Sequence, residues 1–340
     1  MTKFSMIFYL MSSFVLMSSC QPKSKSKDVF VENRKLGRGV NIIGYDAIWD
    51  SFEQARLKEH YFELIKEAGF NNVRINMHPF RHMDTTTFEI REHWWKVLDW
   101  AVDNALANDL MVILDMHEFH AMAEDPEGRK TMWLVFWEQI AERYKLRSDK
   151  VLFELLNEPF GNLNNELWNK YLAEGLTEVR KSNPDRTVII GSTHYNQINQ
   201  LDSLILPEED RNIIVTIHYY TPIDFTHQGA PWADRADLRD VPWLGTVEEK
   251  QVLLNDFAKA QAWSEKHNRP LFLGEFGVYD KADMESRTRY LSFLIETIEN
   301  LGWSWAYWQF DSDFIVYDID NERWIEPVLN ALMPKPRNNK

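Results

Sequence analysis

The chain has 340 residues, 44% of them hydrophobic, enough to bury a large core as one α/β domain or two smaller ones. Its formal net charge of −14 argues against nucleic acid and anionic polysaccharide as partners, since both are gripped by basic residues. A neutral ligand suits that balance, and the 14 Trp offer flat apolar faces of the kind a pyranose ring stacks on.

The first predicted element is a leader. "MTKFSMIFYLMSSFVLMSSC" places Lys3 before a short, serine-broken apolar run, the layout of a signal peptide rather than a membrane span. Cys20 is the only cysteine, which excludes an internal disulfide. Its place after "LMSS" looks like a bacterial lipobox, with Met17 where leucine is usual. Residues 1–20 are therefore expected to be a signal peptide with a lipobox-like end, cut so that Cys20 is lipidated and becomes the new N-terminus. That would make the protein an exported envelope lipoprotein of the outer membrane or periplasm, or otherwise a secreted one, touching membrane only through that anchor. The polar stretch "QPKSKSKD" extends the expectation to a flexible tether over residues 21–34, with a folded domain over 35–335.

Strand-like and helix-like segments then alternate. The strand candidates are 38–44, 71–77, 110–117, 151–158, 186–193, 212–220, 270–276 and 303–310. Amphipathic stretches such as "EQARLKEHYFELIKEAG" and "REHWWKVLDWAVDNALAND" lie between them and end in Gly or Asn, as helices do. Eight β-then-α units imply parallel strands with right-handed crossovers, and eight units close a (β/α)8 TIM barrel. No Pro/Gly-rich linker divides the chain after residue 30, so a single domain is expected; the protein is also expected to be a monomer.

In such a barrel, chemistry sits at the C-terminal ends of the strands. Those ends carry Asn41, Arg74, His117, Asn157 with Glu158, His194, His218 with Tyr220, Glu275 and Trp308. Glu158 closes the apolar run "VLFELLNE" and is held extended by Pro159. Glu275 ends the seventh run, and strand ends four and seven face each other across an eight-stranded mouth. Two carboxyl groups converging there are what glycosidic bond cleavage needs, one to protonate the departing oxygen and one to attack or to activate water. Arg74 can keep one glutamate ionised while burial raises the pKa of the other. Glu154 lies on the same strand face as Glu158 but deeper, and is expected to be a buried partner of Arg74.

"ELLNEP", "VTIHYYTP", "GEFGVY" and "WSWAYWQF" resemble the motifs of glycoside hydrolase family 5, in order and over nearly the whole chain after residue 35. The likeness is to its bacterial endo-β-1,4-glucanases, including ones that also cut β-mannan. The resemblance implies a retaining cellulase acting without cofactor or metal. Glu158 would be the acid/base and Glu275 the nucleophile. Asn41, Arg74, His117, Asn157, His218, Tyr220 and Trp308 would serve binding: Arg74 and Tyr220 at the nucleophile, the histidines at sugar hydroxyls, Trp308 as the floor under the cleaved sugar. Mannanase, glucomannanase or exo-β-glucosidase activity on the same barrel remains open, as does a glycan-binding lipoprotein that does not cut.

Three stretches depart from the family pattern: Glu118 after His117 where a second histidine is common, "STHYNQI" after the fifth strand, and "IIGYDAIWD" after Asn41. Trp49, Trp232 and Trp243 on loops of the same face are either sugar platforms or loop packing. The segment 221–247 is long for a βα loop and could wall a cleft. A metallohydrolase reading of the histidines fails on spacing, because "HEFHA" is not the helical H-E-x-x-H of zinc proteases.

Overall fold

The computed structural model describes residues 28–334. The leader, Cys20 and residues 21–27 of the expected tether lie outside the described residues. The short apolar runs pair side by side, because a strand buried on both faces satisfies its backbone only against neighbours of the same kind. Eight parallel strands result: β1 Arg38–Ile42, β2 Asn72–Met77, β3 Met111–Met116, β4 Val151–Glu154, β5 Val188–Gly191, β6 Ile213–His218, β7 Leu271–Glu275 and β8 Ser304–Tyr307. They follow one another in chain order, and β8 closes on β1 with Arg38 opposite Trp305. The (β/α)8 barrel expected from the alternation is thus the observed fold.

Several strands end before their apolar runs do. β4 stops at Glu154 and β8 at Tyr307, yet Asn157 N still donates to Met116 O at 3.0 Å and Trp308 N to Phe276 O at 2.9 Å. The chain stays bonded to its neighbours there while it turns over the mouth. Between β6 and β7 the register shifts after Ile217, so that His218 stands opposite Glu275. An extra residue of this kind re-aims a side chain at a barrel rim. The extra residue is Gly274, where any β-carbon would meet Thr216 Oγ1 at 2.5 Å and His218 Nε2 at 3.1 Å.

The outer layer differs from the expectation in two places. Residues 29–34 are not tether: Asp28 caps a helix, Val29–Leu36, by accepting from Phe30 N at 3.0 Å. Val29 and Leu36 pack against barrel residues Ile113, Leu152, Ile214 and Phe272, and Asn33 donates to Leu271 O at 3.0 Å. The helix plugs one end of the barrel. Between β5 and β6 the long crossover helix is missing, replaced by a 3-10 turn, Ile198–Ser203. The remaining connections carry the expected helices, whose buried Trp94, Trp133, Trp137 and Trp168 form the seam with the strands. Trp133 and Trp137 both donate to Leu155 O, at 3.0 Å each, fixing the chain just before the mouth.

Candidate active site

Arg74, on β2, is fully buried and organises the mouth. A guanidinium offers five donors in a rigid plane, so it can fix several acceptors at once. Nε and Nη2 grip Glu154 at 2.7 and 2.8 Å, the partner expected from the spacing of Glu154 and Glu158. Nη2 also donates to Asn157 Oδ1 at 2.7 Å and lies 3.1 Å from Asp115. Nη1 donates at 2.8 Å to both Asn41 Oδ1 and Glu275 Oε1.

Glu275 receives a second donor, the Tyr220 hydroxyl, on Oε2 at 3.2 Å. Burial pushes its pKa up to about 7; His218 and Arg74 oppose the rise and the Glu158 charge adds to it. Glu158 is the less buried of the two and meets His218 Nδ1 at 2.7 Å. Burial pushes its pKa up to about 8, with Arg74 opposing and Asp115 and Glu154 adding. His218, whose own pKa is lowered by burial, stands between the carboxylates, 3.6 Å from Glu275 Oε2.

Single ligand atoms of Glu158, His218 and Glu275 all lie within 4.8 Å of one another. That separation suits a pair of carboxyls that flank one bond and act directly, about 5–5.5 Å apart, rather than about 6.5–9.5 Å with a water between. The same three groups are those a cation would find, but Nδ1 of His218 is already engaged with Glu158.

His117 lies flat against Trp308, ring centres 5.5 Å apart and planes 6° from parallel, and its Nδ1 is bound to Asp115 at 2.6 Å. Its Nε2 faces Asn157 Nδ2 at 3.5 Å. Burial holds the imidazole neutral. A cavity of about 620 Å³ opens alongside, lined by Tyr45, His78, Phe80, Arg81, Glu118 and Arg129 among others.

Arg74, His117, Asn157, Glu158, His218, Tyr220, Glu275 and Trp308 therefore converge, as the strand-end reading expected. Asn41 does not face the cleft. It is wholly buried, and its side chain accepts from Arg74 and Asn76 while donating to Gly274 O and Tyr307 O, which leaves nothing for a ligand. Of the two roles open to the three loop tryptophans, two of them take loop packing. Trp49 is 1% exposed, stacked on Trp94 and bonded to Ile43 O, and Trp243 is 0% exposed beside Tyr290. Only Trp232 is open, at 55%. His194 is exposed, its Nδ1 3.1 Å from the Thr193 hydroxyl, and makes no bond to the converging residues.

Asp115, Asn76 and Asn196 are part of the mouth and were not anticipated. Asp115 could have been, since it precedes His117 by two residues and so shares its strand face. Asn196 carries no such mark.

Comparison with known proteins agrees with this geometry. The model of the cellulase family, glycosyl hydrolase family 5, matches residues 34–314. The chain belongs to glycosyl hydrolase family 5. Endoglucanase H of Acetivibrio thermocellus is 32% identical over 329 residues, covering 93% of this chain and 35% of that much longer protein. Endoglucanase C of the same organism is 28% identical over 339 residues, 86% of this chain and 97% of the relative. The crystal structure of endoglucanase Cel5A from Thermotoga maritima superposes with a TM-score of 0.85 at 39% identity, over 90% of this chain and all of that one. Two further structures of the Thermotoga protein, each 38% identical with a TM-score of 0.85 over the same shares of both chains, are described as complexes with mannotriose and with cellobiose.

The departures from the family-5 pattern now have locations. Glu118 accepts from Phe80 N at 2.7 Å and lines the cavity, its pKa raised by burial. In "IIGYDAIWD", Tyr45 leans on His78 at 5.6 Å and stands edge-on to Trp308 at 6.4 Å. "STHYNQI" forms a left-handed turn, with φ of 55°, 63° and 55° at His194, Tyr195 and Asn196. The segment 221–247 folds into short turns pinned by Gln228, which donates to Val241 O at 2.8 Å.

Proposed function

We propose that this protein is a retaining endo-β-1,4-glucanase, with Glu275 as nucleophile and Glu158 as acid/base. The observation that carries the reading is the closeness of the two carboxyls, one oxygen of each within 4.8 Å of the other across one mouth. Their donors support the division of roles. Glu275 is held by a guanidinium and a phenol, both of which favour a carboxylate; Glu158, with the higher pKa, keeps its proton longer.

In the first step the Glu275 carboxylate attacks the anomeric carbon, the glycosidic C–O bond breaks, and the Glu158 proton passes to the departing oxygen. A covalent glycosyl-enzyme results, with Glu158 ionised. In the second step Glu158 takes a proton from water, the water oxygen bonds the anomeric carbon, and the bond to Glu275 breaks. Two inversions leave the β configuration unchanged. Trp308, backed by His117, offers the apolar face beneath the reacting sugar. The neutral His117 has Nε2 free of a short bond and can accept from a sugar hydroxyl.

A second reading, β-mannan or glucomannan cleavage at the same site, is favoured by the mannotriose complex of the Thermotoga relative. The test is a panel of soluble β-1,4-glucan, glucomannan, mannan and xyloglucan, assayed for new reducing ends and product size. Internal cuts in glucan are expected. Failure to cut any of them, with folded protein, overturns the reading in favour of a glycan-binding protein. We also propose export and lipid attachment at Cys20, which metabolic labelling with a fatty acid tests: label lost in Cys20→Ser supports it, and unlabelled wild type refutes it.

A further inference from the structure

Asn196 sits in the left-handed turn after β5 with its side chain buried behind Glu158. Its Nδ2 donates to the backbone carbonyl of Asn157 and faces His218 Nε2 at 3.3 Å. The orientation of this amide is fixed by chemistry. A carbonyl only accepts, so the atom facing Asn157 O is the nitrogen, and the second hydrogen of that nitrogen is the one presented to His218. Oδ1 turns the other way, toward Gly191, where a β-carbon would collide with it. Nε2 of His218 must then accept, which leaves the ring proton on Nδ1, the atom 2.7 Å from Glu158 Oε1.

We propose that Asn196 is a positioning residue that fixes the tautomer of His218 and so decides which oxygen of Glu158 carries the acid proton. With the proton on Nδ1, the imidazole donates to Oε1, and the acidic hydrogen of Glu158 is confined to the other oxygen. With the opposite tautomer, Nδ1 would accept from Oε1, and the proton needed by the leaving group would be spent on the ring. Three consecutive non-glycine residues at positive φ put the backbone under strain. The side-chain bonds of Asn196 and the bond from Tyr195 N to Pro159 O, at 3.3 Å, hold the turn together. The charged and titratable groups facing His218 among the described residues include Glu158, Glu275, Glu154, Asp115, Arg74 and His117.

This rests on Glu158 being the acid, and the experiment separates the two ideas. Two-bond 1H–15N spectra of 15N-histidine protein, with His218 assigned by its absence in His218→Gln, report the tautomer without any substrate. Wild type is expected to show Nδ1 protonated. Asn196→Gly, which suits the positive φ, is expected to populate the Nε2-protonated form. Its kcat/KM on glucan should fall by about tenfold or more, part of the 10²–10⁴ a general acid supplies. On 2,4-dinitrophenyl β-cellobioside, whose leaving group needs no proton, kcat/KM should stay unchanged. Because the ring would now stabilise protonated Glu158, the alkaline limb of the pH profile should move upward. A wild type protonated on Nε2 overturns the proposal, whatever the variant does. So does an Asn196→Gly enzyme with unchanged ring shifts, or one that loses activity equally on both substrates. A wild type without glycanase activity sinks the functional reading while the spectra still answer the tautomer question.

Discussion

Glu158 and Glu275 are chemically identical side chains at the ends of two strands of one sheet, and they meet at one point. What separates them is their donors. Glu275 is bonded to Arg74 at 2.8 Å and Tyr220 at 3.2 Å, whereas Glu158 is bonded, among the described residues, to His218. The comparison teaches that the strands beside a carboxylate set its balance: donors from β2 and from just past β6 favour the charged form of Glu275 and hold its rise to about 7, while Glu158, with no cation bonded to it among the described residues, rises to about 8. Each prediction below attacks one support of that difference.

Removing the carboxylates has the largest expected effect. Glu275→Ala and Glu158→Ala should each lower kcat on glucan by at least about 10⁴-fold with melting temperature nearly unchanged. Azide separates the roles. With an activated aryl glycoside, Glu158→Ala should give a β-glycosyl azide, since the covalent intermediate still forms, and Glu275→Ala an α-glycosyl azide from one direct displacement. The reverse pairing of products would exchange the assignments.

Arg74 is the next support. Among the described residues Arg74 is the cation paired with the buried Glu154, Asp115 and Glu275, so Arg74→Met leaves buried charge uncompensated. Losing one partner of a buried pair costs about 3–5 kcal/mol, read as a lower urea midpoint at pH 7. A loss under about 1 kcal/mol would mean the carboxylates are already neutral there, and that Arg74 is not what distinguishes them.

Tyr220→Phe sharpens the comparison at a single bond. The phenol donates to Glu275 and favours its charged form, so deletion should raise the Glu275 pKa by about one unit. The nucleophile must be ionised, so the acid limb of kcat/KM should move up while the alkaline limb, set by Glu158, stays. Movement of the alkaline limb alone would show that Tyr220 serves the wrong glutamate in this account.

The strands and their polar ends were legible because a parallel strand is apolar throughout, and a residue such as Glu158 or His218 interrupts that run only where the run leaves the core. The pairing of Arg74 with Glu154 was legible for a related reason, the two-residue period of a strand. Other features leave no such trace. Asn196 acts through a left-handed turn that "HYNQ" does not announce, and the helix Val29–Leu36 is hidden behind a lysine- and serine-rich stretch that masks its two inward apolar residues. Asn41 stands at a strand end like its neighbours, but the approach of β7 and β8 consumes its amide. The direction in which a loop tryptophan turns is set by packing between distant segments, and Trp49, Trp232 and Trp243 look alike until those segments meet.

Trp232 carries the smallest and last prediction. It stands edge-on to Tyr279 at 5.1 Å, and Tyr279 belongs to the cluster with Phe314 and Trp308 that floors the mouth. Unlike Trp243, which is fully buried edge-on to Tyr290, it is exposed to solvent. Trp243→Ala should therefore cost about 3–5 kcal/mol of stability, and Trp232→Ala less than about 0.5. If Trp232 is a platform for a sugar beyond the cleaved bond, its loss should raise KM for glucan a few-fold and leave kcat/KM on a short aryl cellobioside unchanged. Equal KM values for glucan in wild type and Trp232→Ala would return this residue, too, to the role of loop packing.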